Sequence, residues 1–311
     1  MPVFEAAKRP TFYFVGVTTG KSSIMRVFPK WAEALGLDAE MKGIDLTLHA
    51  PAEDYRQTAE FLKNDPLSLG ALVTTHKLDM FNACRDIFDY VDPYAEKLGE
   101  LSCLSKLDGK FRAHAKDPIS SGKALEYFVP TNFWADHGGE ALLIGAGGSS
   151  LAMSLYFSQP KFAANCPKRI TIANRSTPRL ESARTCLAGA SPNIKFRFVH
   201  GPSPKDNDAL IKELPPYSLV VNATGLGKDA PGSPTTDAVS YPENSLVWEI
   251  NYRGDLIFMY QAQAQQKEKN LHVEDGWIYF IHGWTQVIAE VFHIEIDGPT
   301  LNNLSEIAKE A

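Results

Sequence analysis

A glycine cluster behind a short apolar run is the feature that most constrains how this chain can fold. Residues Ala141–Ile144 are all apolar, three glycines fall between Gly145 and Ser149, and a helix-compatible stretch follows. A second strand candidate, Arg169–Asn174, comes after that stretch. Strand, glycine turn, helix and strand in this order form the βαβ unit that binds dinucleotides. The sequence therefore predicts a Rossmann-type nucleotide domain.

The residues of the cluster suit a phosphate-binding turn. Gly145 permits a tight turn from strand to helix, and Gly147 lets the backbone approach a pyrophosphate. Gly148 and Ser149 add little bulk beside the first helical amides, which favour anions. Ser150 stands where the fingerprint G-x-G-x-x-G has its third glycine. The cluster alone leaves an ordinary strand-turn-helix open as the alternative.

The end of the second strand bears on which dinucleotide binds. An NAD site usually has an Asp or Glu there, which accepts hydrogen bonds from the ribose hydroxyls. This chain has Asn174, Arg175 and Ser176 instead, with Arg179 close behind. A guanidinium binds a ribose 2′-phosphate through charge-assisted hydrogen bonds, so the predicted cofactor is NADP, with NAD also possible. The alternative is that both arginines only solvate an exposed turn.

Size and composition exclude several classes of protein. With 311 residues the chain exceeds what one core usually supports, so two domains are expected. The net charge of −6, without a basic stripe, argues against a nucleic-acid partner. No apolar run approaches a membrane span and the N-terminus lacks a signal-peptide core, so we expect a cytoplasmic protein without a membrane partner. The cysteines are scattered without ligand spacing, and no metal site is expected.

Strand and helix candidates alternate along both halves of the chain, which predicts an α/β protein. Residues 1–126, completed by 272–311, are expected to form an N-terminal α/β substrate domain. Residues 127–271 are expected to form a Rossmann-type, doubly wound NADP-binding domain, and the C-terminal helix is expected to return to the domain junction. The strand and hairpin candidates of the first domain are Thr11–Gly16, Lys42–Leu48, Leu69–Thr74, Ser102–Leu107 and Lys110–His114.

Polar residues cluster at the predicted carboxyl ends of the strands, where an open α/β sheet binds its ligands. Taken in order along the chain, these segments resemble the motifs of the shikimate dehydrogenase family. The likeness spans nearly the whole length, and it depends on the order of the motifs rather than on any one of them. The matching segments are the serine turn near Ser22, Gly70–Lys77, Gly99–Cys103, Ala113–Asp117, Gly145–Ser149, Asn174–Ser176, Asn222–Gly225 and Gly276–Thr285.

The resemblance implies roles for individual residues. In that family a lysine and an aspartate face each other beside the nicotinamide, and the matching motifs assign these catalytic roles to Lys77 and Asp117. Lys77 then passes the hydroxyl proton, while Asp117 holds the lysine and a neighbouring hydroxyl. The further cofactor contacts implied are Asn222, Thr224, Gly225 and Gly276, and the implied substrate contacts are Ser22, Thr74, Ser102, Tyr252 and His282.

The departures from the family pattern concentrate in the substrate-binding motifs. The lysine loop is one residue shorter than the family's and lacks its asparagine and proline. Ser102 and Cys103 replace an Asn-Thr pair, and His282 aligns with a glutamine. Ile24 replaces the second serine of the turn that grips a carboxylate. A pocket that has lost a hydrogen-bond donor rejects its former substrate, so shikimate itself is not favoured.

The leading hypothesis is an NADP-dependent alcohol dehydrogenase of the shikimate dehydrogenase-like type. Its expected small-molecule substrate is a polyhydroxylated ring, either a cyclitol or a cyclic hydroxy acid. One alternative is a ligand-sensing regulator that kept the fold and lost catalysis, which the altered substrate motifs motivate. Another is a folate-type dehydrogenase, which also places a lysine in its cleft. The oligomeric state is not readable from the sequence.

Overall fold

The computed structural model describes residues 4–162, 165–228 and 230–310. Residues 1–3 lie outside these ranges, and they are the start of the N-terminal segment considered in the sequence analysis. The backbone divides into two compact units, the first of Met1–Lys116 with Gly283–Ala311 and the second of Asp117–His282. The first division falls earlier in the chain than the predicted boundary after residue 126, and the second falls later than residue 272. The assignment of a substrate role and a nucleotide role to the two domains stays a prediction.

The first unit contains a mixed six-stranded sheet. Its strands are β1 (Thr11–Gly16), β2 (Glu40–Asp45), β3 (Ser68–Val73), β4 (Tyr90–Val91), β5 (Cys103–Leu107) and β6 (Lys110–His114). They lie in the order β2-β1-β3-β5-β6-β4. Strand β1 pairs parallel with β2 and β3, whereas the hairpin of β5 and β6 joins β3 antiparallel. All six residues of β1 are buried, as its aromatic and β-branched sequence predicts.

The helices of the first unit cover this sheet. They are α1 (Ile24–Leu35), α2 (Ala52–Asn64), α3 (Lys77–Cys84) and α4 (Pro93–Leu98), with a short 3₁₀ helix at Thr19–Lys21. Helix α1 buries Ile24, Val27, Phe28 and Trp31 along one face. Its core contact reaches the C-terminal segment, where the Trp31 Nε1–H donates to the Leu304 carbonyl at 2.7 Å.

The second unit contains a fully parallel six-stranded sheet. It begins with α5 (Asp117–Phe128) and α6 (Phe133–His137), and its strands are β7 (Ala141–Ile144), β8 (Arg169–Asn174), β9 (Lys195–His200), β10 (Leu219–Asn222), β11 (Leu246–Glu249) and β12 (His272–Glu274). Their order is β12-β11-β10-β7-β8-β9, and every pairing between neighbours is parallel. The predicted doubly wound α/β sheet is confirmed.

The helices of the second unit connect these strands. They are α7 (Gly148–Phe157), α8 (Thr177–Cys186), α9 (Pro204–Lys212), α10 (Ile257–Gln263) and α11 (Gln266–Lys269), with a 3₁₀ helix at Pro160–Phe162. Helix α12 (Trp277–Phe292) begins in the second unit and ends in the first, where α13 (Gly298–Lys309) also lies. None of the helices in the described ranges is both long and apolar enough to cross a membrane.

Candidate functional site

A cavity of about 480 Å³ lies at the carboxyl ends of β7, β8, β9 and β10 in the second unit. Ligands of open α/β sheets bind at this edge of the sheet. The structure brings eight of the twelve predicted cofactor residues together in the cavity wall. These eight residues are Gly145, Gly147, Asn174, Arg175, Ser176, Arg179, Thr224 and Gly225. The segment Gly201–Pro204, which the sequence did not single out, completes the wall.

The glycine turn has the geometry that its sequence predicts. Gly145 has a φ of +120°, and a Cβ at this position would lie 2.4 Å from the Ala223 carbonyl oxygen. A Cβ at Gly147 would meet no atom within 4 Å, so the backbone there is open to a ligand. Ser150 is fully buried, and its hydroxyl donates to the Gly145 carbonyl at 2.7 Å. Ser150 therefore closes the turn at the position of the usual third glycine.

The two arginines after β8 give this cavity a positive rim. The Asn174 side chain accepts a hydrogen bond from the Ser176 amide at 2.8 Å, which shapes the turn into α8. Arg175 and Arg179 are exposed and line the cavity. Neither forms an ion pair with any residue in the described part of the chain, and no Asp or Glu belongs to the described lining. The donor set is therefore suited to a phosphate ester.

Four predicted cofactor residues, Gly148, Ser149, Asn222 and Gly276, lie outside the described cavity wall. Asn222 is fully buried, and its side-chain oxygen accepts hydrogen bonds from the Thr224 amide at 3.0 Å and the Thr224 hydroxyl at 2.6 Å. A Cβ on Gly276 would lie 2.1 Å from the Ile250 carbonyl oxygen, so backbone packing accounts for this glycine. Gly148 is the first residue of α7, and the Ser149 hydroxyl lies 3.4 Å from that of Tyr279.

Lys77 is the first residue of α3 and is half-buried. The short loop before it is strained, because Thr75 has a φ of +60° and the His76 amide donates back to the Thr74 carbonyl at 2.5 Å. Fully buried His76 anchors the loop through its Nδ1, which lies 3.0 Å from the Tyr55 hydroxyl. A tight turn thus precedes α3 and fixes where the helix with Lys77 begins.

The predicted substrate residues of the first unit have different surroundings. Ser22 follows the first 3₁₀ helix and is half-buried, as is Thr74 at the end of β3. Ser102 is 4% exposed, and its hydroxyl oxygen accepts a hydrogen bond from the Lys116 amide at 2.8 Å. Ser102 therefore has a structural role at the base of the hairpin, in addition to its predicted role as a substrate contact. Ile24, which the sequence analysis placed in the altered serine turn, is fully buried in the core.

Three further predicted residues belong to the second unit. Asp117 is the first residue of α5 and is half-buried. The Tyr252 ring packs on Phe280, with centroids 4.3 Å apart. His282 is 5% exposed, and no described residue hydrogen-bonds to its Nδ1. Burial and, to a smaller extent, the positive charge of Lys123 lower the pKa of His282 to about 4, although Glu126 opposes the shift, so the imidazole is neutral near pH 7.

The strand end at Glu249 carries a buried carboxylate that the sequence analysis did not include among the site residues. Glu249 is 1% exposed and accepts hydrogen bonds from Asn222 Nδ2 at 2.6 Å and from Asn251 Nδ2 at 2.6 Å. Burial raises the pKa of Glu249 to about 7, although the hydrogen bonds from Asn251 and Asn222 oppose the rise. Its place at the carboxyl end of β11 was a sequence signal, but its partners depend on the tertiary fold.

A cluster of charged groups lies at the carboxyl end of β6 in the first unit. Glu290 Oε2 lies 2.5 Å from Lys116 Nζ, and Glu290 Oε1 lies 3.1 Å from His114 Nε2. Asp92 Oδ2 is 3.4 Å from the other ring nitrogen of His114. Burial raises the pKa of Glu290, but the hydrogen bond from Lys116 and the charges of His114 and Lys116 outweigh it, so the pKa falls below its usual value. The cluster fixes the residues just before Asp117.

Comparison with known proteins finds no matching family model. Among curated proteins, the chain is 25% identical over 189 residues to a shikimate dehydrogenase (NADP(+)) from Lactococcus lactis subsp. cremoris. That alignment covers 60% of this chain and 61% of the relative. The chain is also 22% identical over 244 residues to the shikimate dehydrogenase (NADP(+)) of Methylobacterium radiotolerans, covering 78% of each protein.

Solved structures share the fold over almost the whole chain. Quinate dehydrogenase from Corynebacterium glutamicum, in complex with NAD, has a TM-score of 0.75 at 17% identity, covering 97% of this chain and 99% of that one. Shikimate 5-dehydrogenase from Thermus thermophilus, in complex with NADP(H) and shikimate, has a TM-score of 0.71 at 20% identity, covering 96% and 98%. The 5-ketofructose reductase of a Gluconobacter strain has a TM-score of 0.68 at 15% identity, covering 97% and 99%.

These comparisons agree with the order of motifs along the sequence. The curated relatives and the structural neighbours carry the names of dehydrogenases and a reductase, and none of them supports the alternative of a non-catalytic regulator. The chain is thus similar, at low identity, to curated shikimate dehydrogenases, and it shares the fold of the shikimate and quinate dehydrogenase structures.

Proposed function

We propose that this chain is an NADP-dependent alcohol dehydrogenase of the shikimate dehydrogenase type, with NAD as a second possible cofactor. The observation that carries the proposal is the cavity of the second unit, which combines an open glycine turn with Arg175 and Arg179 and has no carboxylate in its described lining. The relatives named shikimate dehydrogenase (NADP(+)) and the Thermus enzyme in complex with NADP(H) support this choice of cofactor.

The residues of the cavity fit the parts of a dinucleotide. Gly147, which lines the cavity and precedes α7, would bring the pyrophosphate against the start of this helix, where a helix N-terminus favours anions. Arg175 and Arg179 would bind the 2′-phosphate through charge-assisted hydrogen bonds. When bound, the nicotinamide accepts or donates the hydride of the reaction.

Proton transfer is assigned to residues outside the cavity. Oxidation of a carbinol releases a hydroxyl proton as well as a hydride, and reduction of the ketone takes up both. Lys77, at the start of α3, would take or return that proton as the general base or acid. Asp117 would orient the lysine and bind a neighbouring hydroxyl. These roles rest on the motif match and are part of the proposal.

We propose a polyhydroxylated cyclic compound as substrate, either a cyclitol or a cyclic hydroxy acid. The neighbours in complex with shikimate support a cyclic hydroxy acid, and the structural likeness to a 5-ketofructose reductase justifies including neutral sugars in the search. Ser22, Thr74, Ser102, Tyr252 and His282 are the proposed substrate contacts. Shikimate is expected to be a poor substrate, because buried Ile24 replaces a serine of the family's carboxylate-binding turn.

The test compares Lys77→Ala with the wild-type protein on whichever substrate a panel of cyclic polyols, keto sugars and hydroxy acids reveals. We expect kcat to fall by about 10²- to 10⁴-fold, the usual contribution of a general acid or base, while the Kd for NADPH stays within about threefold. Lys30→Ala, an exposed lysine on α1, is the matched control and should leave kcat unchanged. Full turnover by Lys77→Ala would contradict the assigned role.

A further inference from the structure

The loop that follows β10 forms one wall of the cavity, and buried side chains hydrogen-bond to it on the side away from the cavity. Thr224, Gly225 and Leu226 line the cavity. The Thr224 hydroxyl donates to Asn222 Oδ1 at 2.6 Å and accepts from the Leu226 amide at 3.2 Å. The shape of this wall therefore depends on the position of the Asn222 side chain, which is fully buried.

Glu249 fixes two asparagine side chains at once. Its Oε2 accepts from Asn222 Nδ2 at 2.6 Å, and its Oε1 accepts from the Asn251 amide at 2.9 Å and from Asn251 Nδ2 at 2.6 Å. Asn251 Nδ2 also lies 3.2 Å from the Thr224 carbonyl oxygen. Three N–H groups thus converge on one buried carboxylate. Because both asparagines also hydrogen-bond to the loop, the position of the carboxylate determines the position of the loop.

Only the ionised carboxylate can serve all three donors without conflict. A proton on either oxygen places an O–H donor against N–H groups that are themselves donors. In a buried site this leaves a donor without an acceptor, which weakens the whole hydrogen-bond network. Among the titratable groups of the described residues, Lys228, which follows the loop, favours the carboxylate by its charge. Tyr241, which precedes β11, is neutral, because burial and the nearby charge of Glu249 raise its pKa.

We propose that Glu249 is a positioning residue for dinucleotide binding, whose carboxylate holds the loop Asn222–Leu226 in the form that the dinucleotide requires. The proposal rests on the proposed function, because it takes the cavity to be the dinucleotide site. Glu249 itself does not line the cavity among the described residues and acts through Asn222 and Asn251. Protonation of Glu249 loosens the loop, so dinucleotide affinity depends on pH near neutrality.

The test is a titration of NADPH and of NADH into wild-type protein and into Glu249→Gln, followed by nicotinamide fluorescence between about pH 6 and pH 8.5. At the alkaline end we expect Glu249→Gln to bind both dinucleotides about tenfold more weakly, which is about 1.4 kcal/mol. The wild-type Kd should rise as the pH falls through about 7, the value to which burial raises the pKa of Glu249. The Kd of the variant should be flat. NADH, which lacks the 2′-phosphate, excludes titration of that phosphate as the cause.

A rescue variant separates this role from a merely structural one. In Asn222→Asp/Glu249→Gln the new amide can donate to the new carboxylate, and the side chain at 222 can still accept from the Thr224 amide and hydroxyl. Only the long donation from Asn222 Nδ2 to the Leu226 carbonyl, at 3.4 Å, is lost. We expect the double variant to bind NADPH within about threefold of wild type at alkaline pH. Equal Kd values and equal pH profiles in wild type and Glu249→Gln would overturn the inference while leaving the proposed function intact.

The remaining outcomes are also decisive. If Glu249→Gln does not fold, the wild-type profile alone tests the inference, and a wild-type Kd for NADH that is constant across the range overturns it. If the wild-type protein binds neither dinucleotide at any pH, the proposed function fails, and the inference fails with it. Binding of both dinucleotides without any hydride transfer would overturn the catalytic proposal only.

Discussion

At the scale of single residues, the proposed preference for NADP rests on two guanidinium groups. Arg175 and Arg179 line the cavity, form no ion pair with a described residue and face no carboxylate in its described wall. The sequence could predict this part of the site, because the missing Asp or Glu at the end of β8 is a local signal. It could not predict the role of Glu249, whose burial and partners depend on segments distant in the chain.

Removing the arginines should change cofactor preference rather than folding. In Arg175→Ala/Arg179→Ala we expect the Kd for NADPH to rise by about 10- to 100-fold, since two charge-assisted hydrogen-bonding groups are lost, while the Kd for NADH stays within about threefold. Titration by fluorescence measures both values. Arg184→Ala, on the same helix but stacked on Phe198, is the matched control. Equal losses for NADPH and NADH would contradict the assignment of these residues to the 2′-phosphate.

Buried His282 should make stability depend on pH. Because its folded pKa of about 4 lies below the unfolded value of 6.5, the unfolded chain binds more protons, and the stability that His282 contributes is lost as the pH falls below 6.5. Between about pH 7.5 and pH 5, wild type should lose on the order of 2 kcal/mol of unfolding free energy relative to His282→Gln. Urea unfolding at the two pH values measures this difference.

The comparison with His282→Gln is needed because Glu249 acts in the opposite direction. Its folded pKa of about 7 lies above the unfolded value of 4.5, so its contribution to stability is present below pH 4.5 and is lost as the pH rises through 7. The two effects largely offset each other in wild type over this window. A difference between wild type and His282→Gln that does not change with pH would contradict a buried, neutral histidine.

At the scale of elements, the turn between β7 and α7 shows how one glycine can serve the fold and another the ligand. Gly145 has a left-handed φ and touches the Ala223 carbonyl, whereas Gly147 borders open space. The sequence predicted this turn and most of the strands, because apolar runs and glycine clusters are local. Strand β4 and helix α4 were not predicted, since Tyr90–Val91 is too short to show alternation.

Alanine at Gly145 should therefore lower the stability of the fold, whereas alanine at Gly147 should weaken NADPH binding. Gly145→Ala places a Cβ 2.4 Å from a carbonyl oxygen in a strained backbone, and we expect a loss of about 2–4 kcal/mol in unfolding free energy. Gly147→Ala should change stability by less than about 1 kcal/mol and weaken NADPH binding by about tenfold or more, because its Cβ enters the cavity. Urea unfolding and NADPH titration of both variants measure the contrast. A stable Gly145→Ala would show that the turn can relax.

At the scale of the whole molecule, the order of motifs along the chain was the informative signal. The glycine turn, the arginines, the lysine helix and the aspartate are each weak motifs, yet their order predicted a fold that neighbours share over almost the entire chain. The domain boundaries were harder to predict, because α12 is one continuous helix whose residues belong to both units. Composition and periodicity do not mark where such a helix changes from one unit to the other.

Hydride transfer from NADPH is the measurement that tests the central claim most directly. The wild-type protein is incubated with NADPH that carries deuterium at both C4 positions of the nicotinamide and with a panel of cyclic ketones and keto acids, and the products are analysed by mass spectrometry. We expect an alcohol that carries one deuterium on the former carbonyl carbon, formed at least about a hundredfold more slowly by Lys77→Ala. Tight NADPH binding without deuterium transfer to any member of the panel would contradict the assignment of this chain as a dehydrogenase.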